Sequence, residues 1–476
     1  YCWNCEYTGS GKCNDEDPEC DRKLFWSVYQ YFITGILNTR GSDHHWKVWG
    51  CDHWRKRCQT RLQYANMVCD VNLFRNWNGI VILGDWGTNF PLYADTNSDW
   101  TGIFAVAQAM WDWSFIQYAM YAVCGAAFAV LCFNKGKSLS ISSIVECVTN
   151  KKIPWLNTLV TCLVIFCLMG ATANSMGVGL MQIGAGLETV FGIAQSPIVW
   201  ILIAAFVSTI FILSCVSGIG KGLKIISSIC MYFFIFLLIF VFIFGNTPFI
   251  GKITSEAIGF IIDHWGTQTM LMNAMAPKDT WFSEWSVMYW NSFIMYAPII
   301  GMFLARMGKG RTIRTFMLVQ VLVPSVFCII WIGIFGGQTI FLQTSGTLDV
   351  WNAVQTSGMQ ATVFQILGSL PGSKIITVLF LCTITLSFCT LADPMASVAS
   401  TLSVDGLSAD DEPPKKQKVL VGIILAAVAC TLVTSGGTTA IKGMINLNGL
   451  LQSVVMILCA VAFFKSGKKE DNEHVD

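Results

Sequence analysis

Between residues 101 and 464 the chain alternates long apolar runs with short polar breaks. The runs lie near 103–133, 155–190, 197–217, 222–248, 281–307, 312–337, 374–402, 418–435 and 444–464. Each reaches the roughly 17–25 residues that let an α-helix cross a ~30 Å hydrocarbon core. The longest must tilt or include interfacial turns. Two weaker amphipathic stretches, 253–265 and 350–367, read as helices lying in the interface rather than as further crossings. The pattern predicts nine spans in an all-α membrane protein.

The polar breaks orient these spans. Lys and Arg cluster in alternate loops, at 135–152, 221–224, 306–314, 415–418 and 465–469, while the opposite loops hold Lys252, Lys278, Lys374 and Lys442. Such a bias places the basic loops and the C-terminus in the cytoplasm. Composition agrees with a bilayer protein: 54% of the 476 residues are hydrophobic and 12% are charged, against about 25% charged in soluble domains. A net charge of +1 carries no signal for nucleic acid. Cys124, Cys132, Cys162, Cys167, Cys215, Cys230, Cys382 and Cys389 sit inside apolar runs, where a free cysteine behaves as a small hydrophobe.

Residues 1–95 differ from the rest. They hold seven of the 19 cysteines, three of the five histidines and ten of the 30 Lys and Arg, with no run able to span a bilayer. Cys2-x-x-Cys5 with Cys13 and Cys20 fits no standard zinc-finger spacing, so no metal is assigned. Two readings of this segment stand. It is a folded extramembrane cap, or it is not the native reading of the gene, as a shifted frame or a truncated fragment would produce. Residues 96–465 form the membrane domain and 466–476 a short cytoplasmic tail.

Chemistry concentrates in two places. In WFSEWSVMYWNSFIMYAPIIGMFLARMGKGRTIRTF, residues 281–316, Trp285, Tyr289, Phe293 and Tyr296 share one helix face. An aromatic face inside a membrane protein is suited to grip a cation that has no N–H to donate. Rings so spaced also serve as packing or lipid-facing residues, and periodicity alone does not separate the two. In the first span Trp113 and Tyr121 lie eight residues apart on one face, with Gln117 between them. Asp112, beside Trp113, costs roughly 2.5–3.5 kcal/mol in a helix centre. It faces a cavity or partner, where it attracts a quaternary ammonium, or it sits solvated at the outer interface. No intramembrane His/Cys/Asp cluster or nucleophile–base pair points to an enzyme.

Four blocks carry a family likeness: residues 108–143, residues 174–187 (NSMGVGLMQIGAGL), SGIGKGLKIIS at 217–227, and the 281–316 segment with Gly310-Arg311-Thr312. With these the chain resembles the betaine/carnitine/choline transporter (BCCT) family over about residues 101–465. The resemblance implies twelve spans, the third to seventh and eighth to twelfth forming inverted, LeuT-like five-helix repeats with the cargo at mid-membrane. The nine spans then correspond to helices four to twelve. The third falls near 67–92, where Gly79, Gly84 and Gly87 poorly match the family's glycine-rich turn, and the first two are missing.

The same resemblance implies an aromatic box from Trp113 and Tyr121 on the fourth helix and from Ser292, Phe293 and Tyr296 on the eighth, with Trp285 and Asp112 nearby. The family has adjacent tryptophans where this chain has Ser292 and Phe293, so weaker or differently shaped binding is expected. Sodium as coupling ion is implied at Thr390 and Asp393 in CTLADPMAS and at Asn174 on the fifth helix. Leu391, however, replaces a hydroxyl and cannot ligate a hard cation, which keeps exchange open beside symport. The resemblance also implies a homotrimer in a prokaryotic plasma membrane. Secondary transport of glycine betaine, carnitine, butyrobetaine or choline is the expectation. A non-transporting membrane sensor, or the inactive product of a truncated or frameshifted transporter gene, is the alternative.

Overall fold

The computed structural model describes residues 98–217, 222–270, 282–404 and 413–473. The expectations for residues 1–95 and for a helix near 67–92 fall outside the described residues, as do the side chains of Thr390, Leu391, Asp393 and Pro394.

The described chain is helical, and each expected span coincides with an apolar helix. The first span is α1 (Ser98–Trp113) and α2 (Phe115–Ala129), extended by a π-helical turn, Val130–Asn134. After a short helix, α3 (Ile141–Thr149), come α4 (Pro154–Phe191), α5 (Pro197–Ser217) and α6 (Gly222–Phe244). Next is α7 (Thr247–Thr269), turned 109° from the span before it. It contains the expected interfacial stretch 253–265. The following span is a π-helical turn (Ser283–Val287), α8 (Met288–Ile294) and α9 (Ala297–Met307), bent by 43°. Then follow α10 (Ile313–Thr344), the short α11 (Val350–Ser357) and α12 (Met359–Gly368), α13 (Ser373–Leu402) and α14 (Lys415–Glu473).

The last two expected spans are merged in α14. At 1.5 Å per residue, a helix of 59 residues would reach far beyond a bilayer. Gly437 breaks it with φ 51° and ψ −132°, a conformation open to glycine and costly for other residues. A Cβ placed on Gly177 of α4 would stand within 4 Å of Ala429, Val433 and Ile441 at once. In a straight helix Ala429 and Ile441 would be about 18 Å apart, so the chain doubles back at Gly437, between the two expected spans.

Lipid exposure is written on the surface. Ile201, Leu202, Phe206, Phe236, Ile239, Leu322, Val323 and Ile423 are all exposed, an apolar belt that water would not tolerate. Of the described cysteines, Cys124, Cys167, Cys230, Cys328, Cys389 and Cys459 are buried and Cys162 and Cys382 are exposed.

At the centre, α2 packs against α9, α10 and α14, and α8 lies between α1–α2 and α14. The closest approach is at Gly125 of α2 and Gly301 of α9. A Cβ on Gly301 would fall 2.5 Å from Cys124 Cβ and 2.8 Å from the Gly125 nitrogen. Small residues permit this backbone contact in a membrane, where van der Waals packing must supply much of the association. Gly301→Val is therefore expected to destabilise the detergent-solubilised protein by about 1–3 kcal/mol or more through overpacking. Its loss of monodisperse protein on heating, read by size-exclusion chromatography, should occur at a lower temperature than in the parent.

Candidate functional site

Two interrupted spans meet here. The first breaks at Ser114, whose φ −109° and ψ −112° are not helical, directly after Asp112 and Trp113. The other bends at Met295–Tyr296, directly after Phe293. Its π-helical turn, Ser283–Val287, carries Trp285 and Ser286. Breaks and π-turns in membrane helices are tolerated where protein encloses them, and Ser114, Met295 and Tyr296 are all buried.

Trp113 is the hub of the rings. Its centroid lies 4.9 Å from that of Tyr289 and 5.1 Å, edge to face, from that of Phe293. Trp285 is 6.2 Å from Tyr289. Lys442, just past the reversal at Gly437, places Nζ 3.9 Å from the Trp285 ring centroid, a cation–π contact supplied by the chain itself. Glu284 attracts the same ammonium. These separations put Trp113, Tyr289 and Phe293 in direct contact, so a cation can enter between them only if the two spans part.

Asp112 is buried, 1% exposed, which decides against a solvated carboxylate at the interface. Gln108 Nε2 donates to its Oδ1 at 3.1 Å and Ser286 Oγ to its Oδ2 at 3.1 Å. Gln108 Nε2 also lies 3.0 Å from Ser286 Oγ. The three side chains tie α1 to the π-turn before α8.

The remaining expected residues divide. Tyr121 lies two turns along α2, beyond the break, where its hydroxyl accepts from Gln117 at 3.4 Å and its ring meets Tyr118 at 6.3 Å. Ser292 is buried and donates to the Tyr289 carbonyl at 2.6 Å, within its own helix. The Tyr296 hydroxyl donates to the Ala171 carbonyl at 2.6 Å, so Ser175 Oγ, 2.7 Å away, donates to it. That pair joins the bend before α9 to α4. Asn174 on α4 is fully buried, with both amide atoms lacking a partner among the described residues.

Gln108, Ser286, Tyr289 and Lys442 were absent from the expected site. Tyr289 was visible on the aromatic face, and Gln108 lies four residues before Asp112. Ser286 and Lys442 had no local signal. Trp265 of α7 also closes on this region, 4.1 Å from Trp111 and 5.9 Å from Phe115, on either side of the break.

A lipid-belted helical bundle with aromatic and charged side chains gathered at two helix breaks is a polytopic membrane protein. Its sequence is more particular. The chain belongs to the family described as BCCT, betaine/carnitine/choline family transporter, whose profile matches residues 87–472. It is 29% identical over 371 residues to the glycine betaine transporter OpuD of Bacillus subtilis, with 78% of this chain and 71% of that one covered. It is 31% identical over 333 residues to a probable glycine betaine transporter of Desulfitobacterium hafniense, covering 70% and 66%. The glycine betaine/proline/choline/ectoine transporter VP1456 of Vibrio parahaemolyticus is 27% identical over 390 residues, covering 81% and 68%. The matched part thus spans about two thirds of these relatives' length.

Tyr296→Phe should leave the Ala171 carbonyl and the Ser175 hydroxyl without their partner and cost about 1–3 kcal/mol. A lowered midpoint of thermal unfolding in detergent is the expected reading, with Ser175→Ala lowering it less.

Proposed function

We propose that the protein moves a quaternary ammonium compound, of the kind of glycine betaine, carnitine, butyrobetaine or choline, across the membrane by alternating access. The observation that carries this is Trp113 set against Tyr289 and Phe293 between two spans, each interrupted beside its rings. A quaternary ammonium has no N–H, so ring faces supply the available attraction, each worth ~0.5–2 kcal/mol. Parting of the spans, absorbed at Ser114 and at Met295–Tyr296, would open those faces to one side of the membrane and then the other. The family and the transporters of glycine betaine among its relatives support the same cargo class.

Assembly as a homotrimer, residence in a prokaryotic plasma membrane and a cytoplasmic C-terminus belong to this reading, and the bias of Lys and Arg among the loops supports the last. Leu391 removes one oxygen from the expected sodium position, which favours exchange over sodium symport.

Trp113→Ala and Phe293→Ala should each lower uptake of radiolabelled glycine betaine or choline by about tenfold or more at equal amounts of protein in the membrane. Unchanged uptake in both would refute this placement of the box. A purely structural role for the rings would reduce the amount of folded protein and not the rate per molecule. In proteoliposomes, counterflow should persist in sodium-free buffer, whereas strict dependence on sodium would reinstate symport.

A further inference from the structure

A ladder of rings runs from the surface of the bundle to the buried cluster. Trp285 is partly exposed, Tyr289 and Trp113 are buried, and the steps between them are 6.2 Å and 4.9 Å. Lys442 closes the outer end, with Nζ 3.9 Å from the Trp285 ring centroid, and the exposed Glu284 attracts the same ammonium. The segment carrying this lysine is anchored at one end and has open space at the other. Lys442, Asn446 and Gly449 are spaced i, i+4 and i+7, one stripe of α14 turned to the bent span. Asn291 Nδ2 donates to Asn446 Oδ1 at 3.0 Å, and a Cβ on Gly449 would fall 2.6 Å from Asn291 Cβ. Toward the reversal, a Cβ on Gly437 or on Gly443 would meet nothing within 4 Å. Glycine at 437 adds backbone freedom there, so the Lys442 end can move while the Asn291 end stays packed.

We propose that Lys442 is a latch: its ammonium, held on the face of Trp285 and drawn by Glu284, keeps the ring ladder shut from the side opposite the basic loops. This deepens the transport reading above and rests on it. To part on that side, the bent span must draw the Trp285 face away from Lys442, so the cation–π contact stabilises the closed form alone. A quaternary ammonium on its way in carries the same sign of charge as the lysine, which repels it from that face. The latch therefore lowers the fraction of molecules open to that side, and the apparent affinity for cargo falls with that fraction. Arginine in its place would keep the cation on the ring. Methionine, close to lysine in length, would keep an apolar stem and remove the charge.

The test is uptake of radiolabelled choline and, separately, of glycine betaine by intact cells making the full chain. The reading is the half-saturating concentration at equal amounts of protein in the membrane. Lys442→Met should lower that concentration about threefold or more, and Lys442→Arg should stay within about twofold of the parent. Glu284→Gln, which removes the pull of the carboxylate and leaves the ring contact, should lower it by less than Lys442→Met does. A merely structural lysine would change the amount of protein in the membrane and would not tighten the hold on cargo. An unchanged or raised half-saturating concentration in Lys442→Met overturns the latch, as does Lys442→Arg behaving like Lys442→Met. Should Lys442→Met fail to reach the membrane, Glu284→Gln decides: a lowered concentration supports the latch, and an unchanged or raised one overturns it. Saturable uptake by the parent leaves the transport reading standing in each of these cases. No uptake by parent and variants alike overturns both.

Discussion

Inside hydrocarbon an unpaired peptide N–H or C=O costs several kcal/mol, and the rest of this structure is arranged around that constraint. The chain crosses only as helix, with its bonds closed inside each segment. Where a helix is interrupted, at Ser114 and at Met295–Tyr296, the break is enclosed by other helices. Gly437 instead breaks α14 where the chain reverses. The breaks at Ser114 and at Met295–Tyr296 both lie beside ring, hydroxyl or carboxyl side chains. A break frees backbone from the regular ladder and gives a span a point of bending.

Side-chain polarity does a second job that apolar residues cannot do in lipid. Lipid tails are as apolar as leucine, so helices need close packing and interhelical hydrogen bonds to choose their neighbours. Gly301 on Gly125 gives the close packing. The Tyr296 hydroxyl on Ala171 and Ser175 pins one face of the bent span to α4, and Ser286 with Gln108 on Asp112 pins another face to α1. The aromatic residues lie between these two ties. Such interhelical bonds are worth about 0.6–2 kcal/mol each, enough to set registry.

Much of this was legible in the chain. Periodicity located the long apolar helices, because a helix in a bilayer has a required length and little freedom in composition. The face shared by Trp285, Tyr289 and Phe293 followed from helical spacing, and Trp113 followed from a family pattern. The buried state of Asp112 was not legible: a carboxylate near a helix end looks the same in sequence whether water or a serine satisfies it. Ser286 is 174 residues away, and nothing in its neighbours marks it as a donor to that oxygen. Lys442 looks in sequence like any of the few basic residues in the loops opposite the basic ones.

Sequence by itself determined the class of solvent, the positions of the long apolar helices and the family. Each of these depends on local composition and short-range periodicity, which the chain carries in order. Only the tertiary structure decided that the rings of Trp113, Tyr289 and Phe293 touch, that Asp112 is shielded from water, and that a lysine beyond the reversal at Gly437 covers Trp285. Those facts depend on which helices become neighbours, and that choice is made by packing and hydrogen bonds between residues far apart along the chain.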